Sequence, residues 1–250
     1  MTFRIVSWFS CGAASAIATK LALREYGDRV TVAYCETGAE HPDNGRFMAD
    51  CERWFGAPVE RIRSDEYVDT WDVWEKTRWL AGIKGARCTT ELKVAPRLVF
   101  QRPHDWHVFG YTNDASDRRR AEQLRANYPE MRILTPLIDA QLDKRACLAL
   151  IQGAGIKTPI MYDLGFHNNN CIPCVKATSP NYWALVRREF PEQFARMAAL
   201  SRSLGVRLTR IKNVRIFIDE IPADWPVNDP IAPACDFLCH LVEQSLDDPT

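Results

Sequence analysis

The feature that most constrains this chain is a turn of small residues, Ser10-Cys11-Gly12-Ala13-Ala14-Ser15. It is wedged between a β-rich run, Phe3 to Phe9, and an Ala- and Leu-rich stretch at helical spacing, Ala13 to Tyr26. A strand that must turn into a helix over so few atoms brings free N–H groups and a partial positive charge to one point. Small side chains let the backbone close on an anion there. The turn predicts a phosphate seat, with tight packing alone as the competing reading.

The same alternation continues. Val30 to Cys35 is apolar, Arg46 to Phe55 reads as a helix and Val59 to Ile62 as a third strand. This βαβαβ order predicts an α/β, Rossmann-like parallel sheet wrapped by helices. His107 to Tyr111 and Arg132 to Leu134 are further strand candidates, and Asp143 to Gly153 a helix. After residue 155 the texture becomes irregular, from Ile156 to Pro180, and carries Cys171 and Cys174. Asn181 to Ser203 reads as a helix pair or one long helix, Pro222 to Pro233 as an extended wrap, and Asp236 to Ser245 as a short helix. The expected division is residues 1–150 as a nucleotide-binding domain and 151–250 as a helical, cysteine-containing extension.

With 46% hydrophobic and 26% charged residues the 250-residue chain can build one sizeable core. Its formal net charge is zero, so no overall field draws it to nucleic acid. A local patch, Arg202 to Arg215, holds five basic residues and no acid; a solvated face is its competing reading. No signal core or spanning apolar run is evident, which predicts a soluble, cytoplasmic protein without a membrane partner. In a reducing compartment, nine irregularly spaced cysteines divide between buried thiols and ligands or nucleophiles.

Several segments together resemble one family. Ser10, Gly12 and Ser15 match the PP-loop SGGxDS of the ATP pyrophosphatase and sulfonucleotide reductase superfamily, with Cys11 and Ala14 replacing a glycine and the aspartate. Cys35-Glu36-Thr37-Gly38, followed by Pro42, resembles the DTGxxxP segment of phosphoadenosine phosphosulfate reductases. Cys88, Lys93 and Pro96 resemble their Cys-x-x-x-x-Lys-x-x-Pro segment. Gly110 to Arg118 resembles their glycine, acidic and arginine segment, and Pro136 to Asp139 their proline-leucine turn.

The resemblance implies an adenine nucleotide alpha hydrolase-like fold that binds ATP with Mg2+. Ser10, Cys11, Gly12, Ala13 and Ser15 would cradle phosphates, joined by Glu36, Thr37, Gly38 and Gly110. Lys93, Arg118 and Asp114 would be catalytic, the two cations neutralising developing charge and Asp114 orienting a metal or a ribose hydroxyl.

Cys171-Ile172-Pro173-Cys174 is a Cys-x-x-Cys pair that lets two thiolates converge. With Cys88 it makes three, the number that holds a 4Fe-4S cluster with one iron open. A zinc site from His167, Cys171, Cys174 and Cys88, or a redox disulfide, fits the same spacing. Cys235 and Cys239 read as an i, i+4 pair in the core. Cys11, at a helix N-terminus, is either a reactive thiol or a small loop filler. Trp71, Trp74 and Trp79 read as a core-facing aromatic stripe rather than a base-stacking platform, and His104 and His107 have no assigned role.

The reading that follows is an enzyme that adenylates a substrate with pyrophosphate release and assists sulfur transfer to a nucleic acid, as in DNA phosphorothioation or tRNA thiolation. A cysteine desulfurase or another sulfur donor would be its partner. The alternatives are a sulfonucleotide reductase making sulfite and a non-catalytic nucleotide-binding subunit.

Overall fold

The computed structural model describes residues 3–82, 85–235 and 237–247. Five strands, β1 (Ile5–Trp8), β2 (Val30–Cys35), β3 (Val59–Ile62), β4 (Trp106–Val108) and β5 (Arg132–Leu134), form one sheet in the order β3-β2-β1-β4-β5. Every pairing is parallel, with Ser7 opposite both Val32 and Val108. The expected α/β architecture is therefore present. The strand order reverses between β1 and β4, and in such sheets the crevice at the strands' carboxyl ends is where ligands sit.

Helix α1 (Ala13–Tyr26) lies on one face of the sheet, pinned by a buried Ser7–Thr19 hydroxyl hydrogen bond of 2.8 Å. Its alanines keep the helix close to the strands. Helix α2 (Asn44–Phe55) follows β2 and ends at Gly56 in the left-handed conformation. Helix α3 (Thr70–Thr77) starts where the Asp69 side chain accepts from the Asp72 N–H. A short turn Arg87–Thr89 then runs through a π-helical segment, Thr90–Val94, into α4 (Ala95–Phe100). Helix α5 (Ala115–Asn127) connects β4 to β5, and α6 (Lys144–Gly153) is capped by Asp143 on the Ala146 N–H.

The Asn181 to Ser203 region is two helices, α7 (Pro180–Glu189) and α8 (Pro191–Ser203), because Pro191 forbids continuation from Phe190. The basic stretch contains a hairpin, β6 (Thr209–Ile211) with β7 (Val214–Ile216), turning on Lys212 and Asn213, both at positive φ. Helix α9 (Phe237–Asp247) closes the described chain, and Asp236, the expected start, lies outside the described residues.

Two apolar clusters form the core. One joins the sheet and α1 to α6 and includes Cys239 and Leu246; the other joins Tyr67, Trp71, Trp74 and Leu92 to Met161, Trp183, Met197 and Ile218. The packing thus interleaves early and late parts of the chain. Trp71 and Trp74 are core residues as expected, but Trp79 is 45% exposed. Arg78 adopts a left-handed conformation after α3, which takes Trp79 off the helix face and lays it over Gly82. Cys235 precedes α9 and forms a disulfide with Cys239, so the pair is linked through its sulfurs rather than as a helix-face contact. No helix among the described residues is long and apolar enough to cross a membrane.

Candidate nucleotide and thiol site

The small-residue turn wraps around the Ser15 hydroxyl. Ser15 Oγ accepts from the Ser10 N–H and hydroxyl, both at 3.0 Å, and from the Gly12 N–H at 3.3 Å, while donating to the Gly12 carbonyl at 2.9 Å. Cys11 takes a left-handed conformation, φ 54°, and is fully buried. Among the described residues the Cys11 and Ala14 amides have no acceptor, so these are the donors left for an anion at the α1 N-terminus. Burial pushes the Cys11 thiol far up, in keeping with a small loop filler rather than a reactive thiol: an apolar surround outweighs the helix N-terminus.

Residues far along the chain hold this loop. The Ala13 N–H donates to Tyr162 Oη at 3.1 Å, and Asn169 Nδ2 donates to the Cys11 carbonyl at 2.6 Å. Lys144, 8% exposed, bonds Tyr162 Oη at 3.2 Å and Asn168 Oδ1 at 3.3 Å. Sequence reasoning missed this buried cation one residue beyond the loop's brace. The signal available was its place in the first turn of α6, where the helix dipole disfavours positive charge.

Gly110 touches the loop from β4: a Cβ there would stand 2.7 Å from Ser15 Cα and 2.8 Å from Ser15 N. Its contribution is close backbone approach. Gly38, φ 69°, is similarly pressed against Val68 O and Asp69. Thr37 and Ala39 donate their amides to the Glu40 carboxylate at 2.9 and 3.1 Å, making a compact turn after β2. Glu36 pairs with Arg63 at 2.5 Å. Asp114 stands at the N-cap position of α5, but its carboxylate turns away from the helix, accepting from Thr112 Oγ1 at 2.7 Å and from the Lys144 N–H at 3.2 Å. Arg118 is exposed on α5 without a partner among the described residues, whereas Arg120 pairs with Asp117.

The Cys171–Cys174 loop docks on the turn after β2. Ile172 N–H donates to the Ala39 carbonyl at 2.8 Å, Thr37 Oγ1 and Cys171 Sγ share a hydrogen bond of 2.8 Å, and Cys174 N–H donates to Tyr182 Oη at 2.6 Å. Lys93 reaches this cleft from the π-helical segment. Its surroundings partly desolvate it, yet Cys171, Glu40, Cys174 and Cys35 together raise its pKa. Burial pushes the Cys171 thiol up to about 12, against the pull of Lys93, and also raises Cys88, which feels Cys174. Trp74 Nε1, buried and otherwise unpartnered, faces Cys88 and favours the anion there.

Cys88, Cys171 and Cys174 therefore all lie within the field of Lys93, and Cys35 at the end of β2, its Sγ 3.9 Å from the Lys93 carbonyl, adds a fourth thiol that sequence reasoning did not single out. His167 lies in the field of Lys144, Asp114 and Asp117, apart from the thiols. Among the described residues, the group of three donors with all ligand atoms within 4.8 Å is Cys235, His240 and Glu243, not the cleft thiols.

A solved structure shares this arrangement of sheet and helices. The crystal structure of phosphoadenylyl-sulfate (PAPS) reductase from Candida auris, in a phosphate complex, superposes with a TM-score of 0.50 at 12% sequence identity, covering 68% of this chain and 82% of that one. The chain has a PAPS reductase-like fold. At the level of sequence, no family model and no curated relative matches. In a PAPS reductase-like sheet the small-residue turn stands at the carboxyl end of the first strand, beside the point where strand order reverses.

Proposed function

We propose that the chain is an ATP-dependent sulfur-transfer enzyme of the PP-loop type. It binds ATP at the Ser10 to Ser15 turn, joins AMP to an oxygen of its acceptor with release of pyrophosphate, and delivers sulfide-level sulfur, replenished by a separate donor, to the activated position, where it displaces AMP together with that oxygen. The observation that carries this reading is the docking of the Cys171–Cys174 loop on the turn after β2, where Thr37 Oγ1 and Cys171 Sγ share a 2.8 Å hydrogen bond and the Cys35 thiol lies 3.9 Å from the Lys93 carbonyl, at the carboxyl end of a strand that pairs with β1 and so neighbours the phosphate turn. A nucleotide and a sulfur-handling group would meet there.

Adenylation turns a poor leaving oxygen into a good one, and the charge that builds on the phosphorus needs fixed cations. Lys93, and Arg118, which has no competing carboxylate among the described residues, would supply them. Asp114 or Glu36 would share Mg2+ with the phosphates. Cys88, Cys171 and Cys174 would hold an iron-sulfur cluster, which when bound supplies an open iron for sulfur. Zinc on the same thiols is the alternative.

The acceptor we favour is a nucleic acid. Arg202 is already engaged by Asp219 and Glu220. Arg207, Arg210, Lys212 and Arg215 remain around the β6–β7 hairpin for phosphate contacts. A sulfonucleotide reductase would need a nucleophile other than Cys235 or Cys239, which are joined in a disulfide.

Anaerobic purification with iron, sulfide and zinc analysis tests the reading, alongside pyrophosphate release from ATP. About four irons per chain, lost in Cys171→Ala, together with pyrophosphate release, is the expected result. Zinc or no metal moves the reading to a thiol-based reductase. Absence of pyrophosphate release moves it to a nucleotide-binding subunit.

A further inference from the structure

Arg97, in α4, is 7% exposed, and its Nε and Nη2 are buried with no hydrogen-bond partner. Its guanidinium lies over the Tyr128 ring at 5.1 Å, and no carboxylate pairs with it among the described residues. The contrast with Arg4 is informative. Arg4 is also mostly buried, and it is bonded by Nε and Nη2 to the Asp105 carboxylate and by Nη2 to the Phe100 carbonyl. A buried guanidinium is retained when an anion meets it.

Its position narrows what that anion is. The charge of Arg97 acts on Cys35, His107 and Tyr111. Cys35 ends β2, His107 lies on β4, and Tyr111 follows the Gly110 that abuts Ser15. Ser7 turns toward α1, so Trp8, its register partner Ala33 and, two residues on, Cys35 turn to the opposite face. The Trp8 ring meets Phe100 of α4 on that face, at 6.0 Å. Arg97 therefore flanks the switch-point crevice from the α4 side while the phosphate turn flanks it from the α1 side. Lys93, one turn earlier in the chain, leans to the same Cys35.

Nε–H and Nη2–H form the side edge of a guanidinium, the two parallel donors that match two oxygens of one oxyanion. We infer that Arg97, assisted by Lys93, is an oxyanion seat at the switch point, holding a phosphate or sulfuryl group of the bound nucleotide in front of Cys35. This rests on the nucleotide-binding reading and deepens it by naming the residue and the ligand group.

Calorimetric titration of wild type, Arg97→Met and Arg97→Lys with ATP, adenosine 5′-phosphosulfate and adenosine, together with thermal melts of the ligand-free proteins, tests it. Arg97→Met is expected to lose tenfold or more in affinity for one or both anionic nucleotides and nothing for adenosine. Its ligand-free melting temperature should be equal to or above wild type, because an unpaired buried charge has been removed. Arg97→Lys should recover part of the affinity, having charge without the fork. The nucleotide that loses affinity tells a phosphoryl from a sulfuryl occupant. Unchanged nucleotide affinity in Arg97→Met would overturn the seat, as would a melting temperature several degrees below wild type, which would make Arg97 a structural partner of Tyr128. Should wild type bind none of the three, the nucleotide reading fails by itself. The seat is then judged with inorganic phosphate and sulfate: Arg97-dependent binding supports it and none overturns it.

Discussion

Asn169 Nδ2 donates to the backbone carbonyl of Cys11 at 2.6 Å, across 158 residues of sequence. Through it the phosphate turn, which opens the sheet, is braced by the loop that carries Cys171 and Cys174. Replacing Asn169 with Ala leaves a buried carbonyl without its donor, which costs about 1–3 kcal/mol. Urea denaturation should show that loss. ATP affinity should fall with it, because the turn loses one of its distant braces; an unchanged midpoint would mean that water or a neighbour takes over the bond.

Gly110→Ala should be more damaging than a single methyl suggests. The added Cβ meets Ser15 Cα and N and the Ala14 carbonyl carbon, at 2.7, 2.8 and 3.0 Å, all backbone atoms of the α1 N-terminus. Overpacking of this kind costs about 1–3 kcal/mol, and relief requires moving the phosphate turn. Denaturation and nucleotide titration should both register the change, whereas Gly45→Ala, which has open space around it, should leave nucleotide affinity as it is.

Asp43 joins α2 to the segment that carries Tyr162, the tyrosine that braces the phosphate turn. Its carboxylate bonds Arg46 by two contacts and accepts from the Ile160 N–H at 2.9 Å, while Arg46 donates onward to the Lys157 and Thr158 carbonyls. The Arg46 hydrogen bond holds the Asp43 pKa down at about 2. A depressed carboxyl stabilises the fold above its unfolded pKa near 4, and that contribution fades as pH falls toward about 2. Asp43→Asn should therefore cost about 1–2 kcal/mol at pH 7, allowing for partial solvent screening. At pH 2 the two proteins should be nearly alike in denaturant titrations.

The thiols should sort by reactivity. Cys11, Cys51 and Cys147 are buried with thiol pKa values raised chiefly by desolvation, Cys147 up to about 12. At pH 8 only about one Cys147 in 10⁴ would be thiolate. Brief iodoacetamide treatment of the metal-free native protein, read by mass spectrometry, should leave these three unmodified and label the half-buried Cys35, Cys88 and Cys174 first. Prior labelling of Cys11 would show that the phosphate turn opens in solution.

Much of the fold was legible in the residues. The alternation from Ile5 to Ile62 announces a parallel βαβαβ unit because apolar strand runs and helical spacing have distinct periods. Pro191 splitting α7 from α8, and Asp143 capping α6, are equally local effects. The β6–β7 hairpin escaped notice because its turn uses Lys212 and Asn213 rather than the glycine that usually marks positive φ. Trp79 left the expected aromatic stripe for the same reason, a non-glycine residue, Arg78, in a left-handed conformation.

By itself the sequence determined the strand order along the chain, the small-residue turn at the first strand's end, and the types of group available for chemistry. Periodicity, caps and turn residues act over a few neighbours, and those neighbours are written consecutively. Only the tertiary structure decided that Cys35 joins Cys88, Cys171 and Cys174 in the field of Lys93, that Tyr162, Lys144 and Asn169 brace the phosphate turn, and that Arg97 is buried with no carboxylate partner among the described residues. Those relationships arise where parallel strands, joined by long crossovers, bring distant segments to one sheet edge. Their energy comes from desolvation and paired hydrogen bonds, which depend on what is near in space and not on what is near in sequence.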